Sequence, residues 1–214
     1  MRVRDFQKLH KMILPELENY ASAGTMLVAQ PVEDVLRAFD FEDSGFSKEA
    51  FYVWAFVLPL YIPASYVSYT LGKRISQGKR WWYEPGKECD LVQELLEAIR
   101  ADGLPLLNDA RTPADVLTLA QRHFDPSHLY VQQAVAYSLI VSGQFAEAAD
   151  WLNKLTQSLA TLDPTLAWPK EVQCRADYLI DCLKGDPMQA VKRLQEWEEE
   201  TVRDLRLTKL YSPD

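Results

Sequence analysis

The first apolar positions of the chain fall three and four residues apart. Val3, Phe6, Leu9, Ile13 and Leu17 therefore lie on one face of an amphipathic helix, with Pro15 placed to bend its last turn. After Gly24 the spacing changes. Thr25 to Gln30 is a short apolar run stopped by Pro31, and from Leu36 to Phe41 the residues Leu36, Ala38 and Asp40 alternate with Arg37, Phe39 and Phe41, which predicts two strands. Asp43, Ser44 and Gly45 supply a turn, so a hairpin is expected to lead into the next run. That run, residues 50 to 71, carries no charge and is long enough to raise the transmembrane question. Pro59 and Pro63, the polar Ser65, Ser68 and Thr70, and the strand formers Phe51, Tyr52, Val53, Trp54, Phe56 and Val57 answer it in favour of buried strands. Phe51 to Leu58 is apolar on both alternating faces and predicts a central strand. Tyr66 to Ile75 is expected as its hairpin partner, and Arg80 to Glu84 completes an antiparallel sheet of about four or five strands.

From Lys87 onward the period becomes helical, beginning with Leu91, Val92, Leu95, Leu96 and Ile99. Thr112-Pro113, Asp125-Pro126 and Asp186-Pro187 each place a side-chain acceptor at a helix start with proline in the first turn, and Gly103, Gly143 and Gly185 supply stops. The predicted helices lie near 87–101, 113–124, 126–142, 144–161, 168–184 and 187–205. The whole reads as α+β and helix-rich: residues 1–86 hold a helix and a small antiparallel sheet, and residues 87–214 form an all-α part.

Two helix pairs in that part repeat. Val131-Gln132 matches Val172-Gln173 and Tyr137 matches Tyr178 at an offset of 41, and after one extra residue Gly143 matches Gly185, Glu147 matches Gln189, Ala148 matches Ala190, Leu152 matches Leu194 and Leu155 matches Trp197 at 42. The first copy, GQFAEAADWLNKL, resembles the second half of a tetratricopeptide hairpin, with Gly143 at the turn, Phe145 after it and Ala148 at the close helix contact. Pro187 stands where the family has an aromatic, the terminal proline and the bulky first-helix residue are missing, and a generic duplicated helical hairpin describes residues 126–205 as well. The resemblance implies that the first helix of each hairpin lines a concave binding face, which would turn Tyr130, Gln133, Tyr137 and Tyr178 toward a groove. The other reading of these tyrosines is packing against the N-terminal sheet with their hydroxyls at the rim.

Composition narrows the picture. With 48% hydrophobic and 25% charged residues the chain is ordinary globular protein, and the first 86 residues balance ten Lys/Arg with ten Asp/Glu, so the net charge of −8 resides in residues 87–214. An acidic half repels nucleic acid and anionic membrane, and it suits either a cationic protein partner or simply solubility. Three cysteines without a CxxC pair and no apolar leader point to a reducing, cytoplasmic setting. His10, His123 and His128 form no metal-ligand motif, and no nucleophile elbow or phosphate-cradling loop is present, so no catalytic residue, metal or cofactor is assigned. Lys73, Arg74, Lys79 and Arg80 precede Trp81, Trp82 and Tyr83, a basic turn beside aromatics. It suggests phosphate or base stacking on one reading, and on the other a sheet cover or protein contact through Trp81 and Trp82. The expectation is a non-catalytic protein-binding module, similar in type to small bacterial immunity or adaptor proteins, that uses an acidic, aromatic-bearing helical surface. An enzyme whose site is assembled only in three dimensions and a structural subunit of a larger assembly are the alternatives.

Overall fold

A computed structural model describes residues 3 to 212. The protein is α+β. Six strands, β1 (Tyr20–Ala23), β2 (Met26–Ala29), β3 (Val35–Asp43), β4 (Ala50–Pro59), β5 (Gly72–Arg74) and β6 (Trp81–Trp82), form one antiparallel sheet in the order β1-β2-β3-β4-β5, with β6 also on β4. Among the described residues there are also eight helices: α1 (Val3–Ile13), α2 (Glu88–Ala98), α3 (Leu104–Asn108), α4 (Pro113–His123), α5 (Leu129–Val141), α6 (Phe145–Leu159), α7 (Ala167–Gly185) and α8 (Pro187–Asp204). No helix among the described residues is long and apolar enough to cross a membrane.

The chain forms two compact units. One comprises residues 1–58, 67–111 and 206–214; the other comprises residues 59–66 and 112–205. The change of pattern at Lys87 is thus a change of secondary structure, while α2 and α3 belong with the sheet.

In the sheet unit the central strand is where the apolar run predicts it. Its inner face packs on α1 through Phe6, Phe41 and Phe51, whose ring centroids lie 5.6–5.9 Å apart. The predicted partner strand is mostly absent: Tyr66 to Leu71 is irregular and only Gly72–Arg74 pairs with β4. Ser68 explains part of this, because its hydroxyl bonds the Thr70 hydroxyl and accepts from the Thr70 amide, a local alternative to the ladder. Where pairing resumes, Gly72 sits so close to β4 that a Cβ would lie 2.7 Å from the Phe56 Cβ. β1, which the apolar pattern misses, pairs with β2 across a turn at Gly24, whose φ of +63° suits glycine.

Gly103 does not stop a helix. Pro105 lacks the N–H that would bond the Ala101 carbonyl, and between α2 and α3 the helix widens into a π turn, in which the Leu104 N–H reaches the Ile99 carbonyl. Gly103 lies in that turn under the Phe39 ring. A Cβ there would meet Phe39 Cε1 at 2.2 Å.

His10, on α1, is fully buried against Phe41, with Nδ1 hydrogen-bonded to Ser22 Oγ at 2.8 Å. Burial pushes its pKa down to about 4 from an ordinary 6.5. The fold therefore favours the neutral ring, and the stability this confers is complete above pH 6.5 and lost as pH falls from 6.5 toward 4. Between pH 8 and pH 5 the loss should be about 2 kcal/mol. Urea unfolding of the wild type and His10→Phe at both pH values checks it: the variant should lose less stability by about that amount.

In the helical unit, Thr112 caps α4 in a full capping box with Asp115, and Asp186 caps α8 by accepting from the Met188 amide. Asp125 instead closes a turn with Ser127, and the N-cap of α5 is His128, whose Nδ1 accepts from the Tyr130 amide; the helix begins at Leu129, three residues later than the proline suggests. Helices α4 to α8 pack in sequence, and α8 also returns to α5. The segment 59–66 is tied to the two helices that meet there. Tyr61 hydroxyl bonds Ser138 Oγ on α5 at 2.6 Å, and Thr201 of α8 donates to the Ile62 carbonyl while accepting from the Ala64 amide.

Candidate functional site

Because α8 packs against α5, the latter has no free side. Every residue from Val131 to Ile140 is buried, so α5 is the central helix of its unit. This corrects the expected groove. Tyr137 is 0% exposed, its ring stacked on Trp197 at 5.9 Å, and burial pushes its ionisation up to about 12. Gln133, one helical turn earlier, is buried as well, and so is the Tyr130 hydroxyl, whose pKa burial raises. Neither Tyr137 nor Gln133 presents a contact surface, and Tyr130 is half-buried with its hydroxyl turned inward. The periodicity had identified residues of one helix face, and that face turned out to be interior.

Tyr178 is different. It stands 46% exposed on α7, in the field of the Arg193 and Glu196 ion pair of α8, whose atoms are 2.7 Å apart. Trp168, in the first turn of the same helix, is 49% exposed and lies within about a quarter-turn of Tyr178 viewed down the axis. Between them Glu171 and Arg175 form an i,i+4 pair at 3.9 Å. Leu166 before α7 and Met188 at the start of α8 are exposed as well. Trp168 and Met188 were not singled out by the repeat, because neither occupies a position duplicated between the two hairpins. Their only signal is apolar bulk beside the prolines Pro169 and Pro187 at helix starts, where a large side chain has fewer neighbours to cover it.

The surroundings are acidic. The helical unit holds fourteen Asp/Glu against eight Lys/Arg, and Asp163, Glu171, Asp177, Asp181 and Asp186 are exposed along or at the ends of α7. Two of them also serve local structure: Asp163 accepts from the Thr165 amide and Asp186 caps α8. Cys174 is exposed on α7, while Cys182 is buried.

The aromatic pair of the basic turn divides. Trp81 is 3% exposed on the α1 side of the sheet, under Lys79 at 4.3 Å, and is a core residue; Trp82, alternating to the other side, is 56% exposed. Lys79 is itself paired with Glu94 at 2.6 Å.

Among the described residues no group of three or more His, Cys, Asp or Glu side chains is placed to hold a metal ion. A cleft of about 230 Å³ between α6 and α7 is lined by Phe145, Ala146, Ala149, Ile180 and Leu183, with Asn153 and Lys184 as its polar groups. It offers no paired acid and base, and it lies below the roughly 300–1,000 Å³ usual for small-molecule sites. No family model matches the chain, and neither the curated proteins nor the solved structures contain a match to it.

Proposed function

We propose that this protein is a non-catalytic binding module, of the adaptor or immunity type, that engages a cationic protein partner through α7 and the start of α8. The observation that carries this reading is the pair of large aromatic side chains, Trp168 and Tyr178, left half-exposed on one side of a helix rimmed with carboxylates. Trp, Tyr and Arg are the residue types that dominate binding energy at protein interfaces, and here Arg175 lies between the two rings along the helix. The rings supply apolar area to be buried on association, and the acidic rim steers a basic partner and accelerates encounter.

The experiment is affinity purification of the tagged protein from its native cells, identification of what co-elutes, and measurement of that partner's affinity for variants. Trp168→Ala and Tyr178→Ala should each weaken binding by about 1–2 kcal/mol, roughly five- to thirtyfold. Their thermal unfolding should stay within about 0.5 kcal/mol of wild type, because half-exposed rings leave little cavity behind. Neutralising Asp177 and Asp181 should mainly slow association and flatten its salt dependence. Unchanged affinity in both aromatic variants would overturn the proposal.

A further inference from the structure

The outer face of the sheet carries a second arrangement, independent of the helical surface. In β4 the side chains of Ala50, Tyr52, Trp54 and Phe56 alternate to one side. Register sets their neighbours. Trp82 lies opposite Ala50, Arg74 opposite Trp54 and Gly72 opposite Phe56, so Trp82 and Arg74 share that side. Arg80, two residues before Trp82, reaches the same side and donates from Nε to the Tyr52 hydroxyl at 3.2 Å.

These side chains form a ladder in which rings and guanidinium groups alternate. The Arg80 guanidinium carbon lies 5.3 Å from the Phe46 ring centroid and 5.8 Å from that of Tyr52. Arg74 lies 3.9 Å from Tyr52 and 4.8 Å from Trp54, and Trp54 stacks on Tyr69 at 4.5 Å with the planes 5° apart. Glu42 anchors the middle by accepting from both Trp54 Nε1, at 2.8 Å, and Arg74, at 3.1 Å. Asp40 anchors the far end, accepting from Tyr69 and Thr25. These bonds and stacks fix the inner rungs, and the inner rungs hold the outer ones in place.

The outer end is open. Phe46 is 83% exposed, Trp82 is 56% exposed, and Arg80 is exposed between them. Charge sorts the possible occupants. Glu42 neutralises Arg74 and Glu94 neutralises Lys79, whereas no carboxylate among the described residues lies in ion-pair range of Arg80. Its Nε is held by the Tyr52 hydroxyl, and the two terminal nitrogens are left to bind a carboxylate bidentately. Lys73, opposite Ala55, alternates to the other side of β5, so on this side a single guanidinium remains available, far too little charge to follow a nucleic-acid backbone, whose binding requires several phosphates to be neutralised. We infer that Phe46, Tyr52, Arg80 and Trp82 form a docking site for an acidic peptide segment of another protein. One Asp or Glu of that segment meets Arg80, and an adjacent apolar side chain lies against Phe46 or Trp82.

Selection of a phage-displayed library of random twelve-residue peptides on the purified full chain tests this, followed by affinity measurement with the enriched peptides. Enriched sequences should place Asp or Glu next to an aromatic or large aliphatic residue. Their affinity should fall at least tenfold for Arg80→Gln and for Phe46→Ser, and by a smaller factor for Arg80→Lys, which keeps the charge but loses the fork. Both sites are exposed, so circular dichroism melts should be unchanged, and Trp168→Ala should leave peptide affinity intact. Failure of selection, enriched peptides without acidic residues, affinity indifferent to Arg80→Gln, or tighter binding of a dT oligomer than of the peptides would each overturn the inference.

Discussion

Tyr137→Ala should destabilise the helical unit by about 4 kcal/mol, the range found for large aromatic truncations in cores. The ring is fully buried, stacks on Trp197 of α8, and lies where α5 and α8 pack, so its removal opens a cavity between two helices. The hydroxyl contributes little by comparison. It is buried and makes at most a weak contact with the Gln133 amide, so Tyr137→Phe removes a largely desolvated polar group and should change stability by less than about 1 kcal/mol, or raise it. Urea unfolding followed by far-ultraviolet circular dichroism separates the two variants. Near-equal losses would mean that the hydroxyl, not the ring, carries the interaction. A negligible loss for alanine would mean that the ring is a surface group after all.

Gly103→Ala should cost the sheet unit about 3 kcal/mol, although alanine is ordinarily the better helix former. Its Cβ would stand 2.2 Å from Phe39 Cε1, and Phe39 is fully buried beneath the π turn, so either the ring or the helix must move. Reducing the ring should relieve the clash. In Phe39→Leu/Gly103→Ala the combined loss should fall short of the sum of the single losses by about 1–2 kcal/mol, the coupling expected of residues in direct contact. Strict additivity in chemical denaturation would show that the two sites do not meet.

Much of this architecture is legible in local pattern, because local pattern has local causes. Capping at Thr112 and Asp186 depends on a side chain and an amide two or three residues away, so the starts of α4 and α8 follow from the residues themselves. The turn at Gly143, with its φ of +73°, is local in the same sense. The apolar run from Phe51 to Leu58 identified the central strand, which pairs on both of its edges. Gly103 misled for a complementary reason: glycine signals either a helix end or a close neighbour, and only the long-range approach of Phe39 decides between them.

The candidate surfaces required the tertiary structure. Apolar periodicity states that a residue avoids water, but not which element covers it. Tyr137 and Tyr178 occupy equivalent places in the repeat, yet α8 folds back on α5 and leaves the outer side of α7 uncovered, so one ring becomes core and the other remains half-exposed. Alternation separates Trp81 from Trp82 once β6 pairs with β4 in the observed register, and no feature of the dipeptide fixes which of the two faces α1. The ladder from Phe46 to Tyr69 joins side chains of β3, β4, β5 and three connections. Its members are polar or aromatic singly and gain common geometry only through strand pairing. The amino-acid sequence by itself determined where the central strand and the starts of α4 and α8 form. Tertiary packing alone decided which aromatic rings face solvent, because exposure is a property of the neighbours a residue acquires on folding.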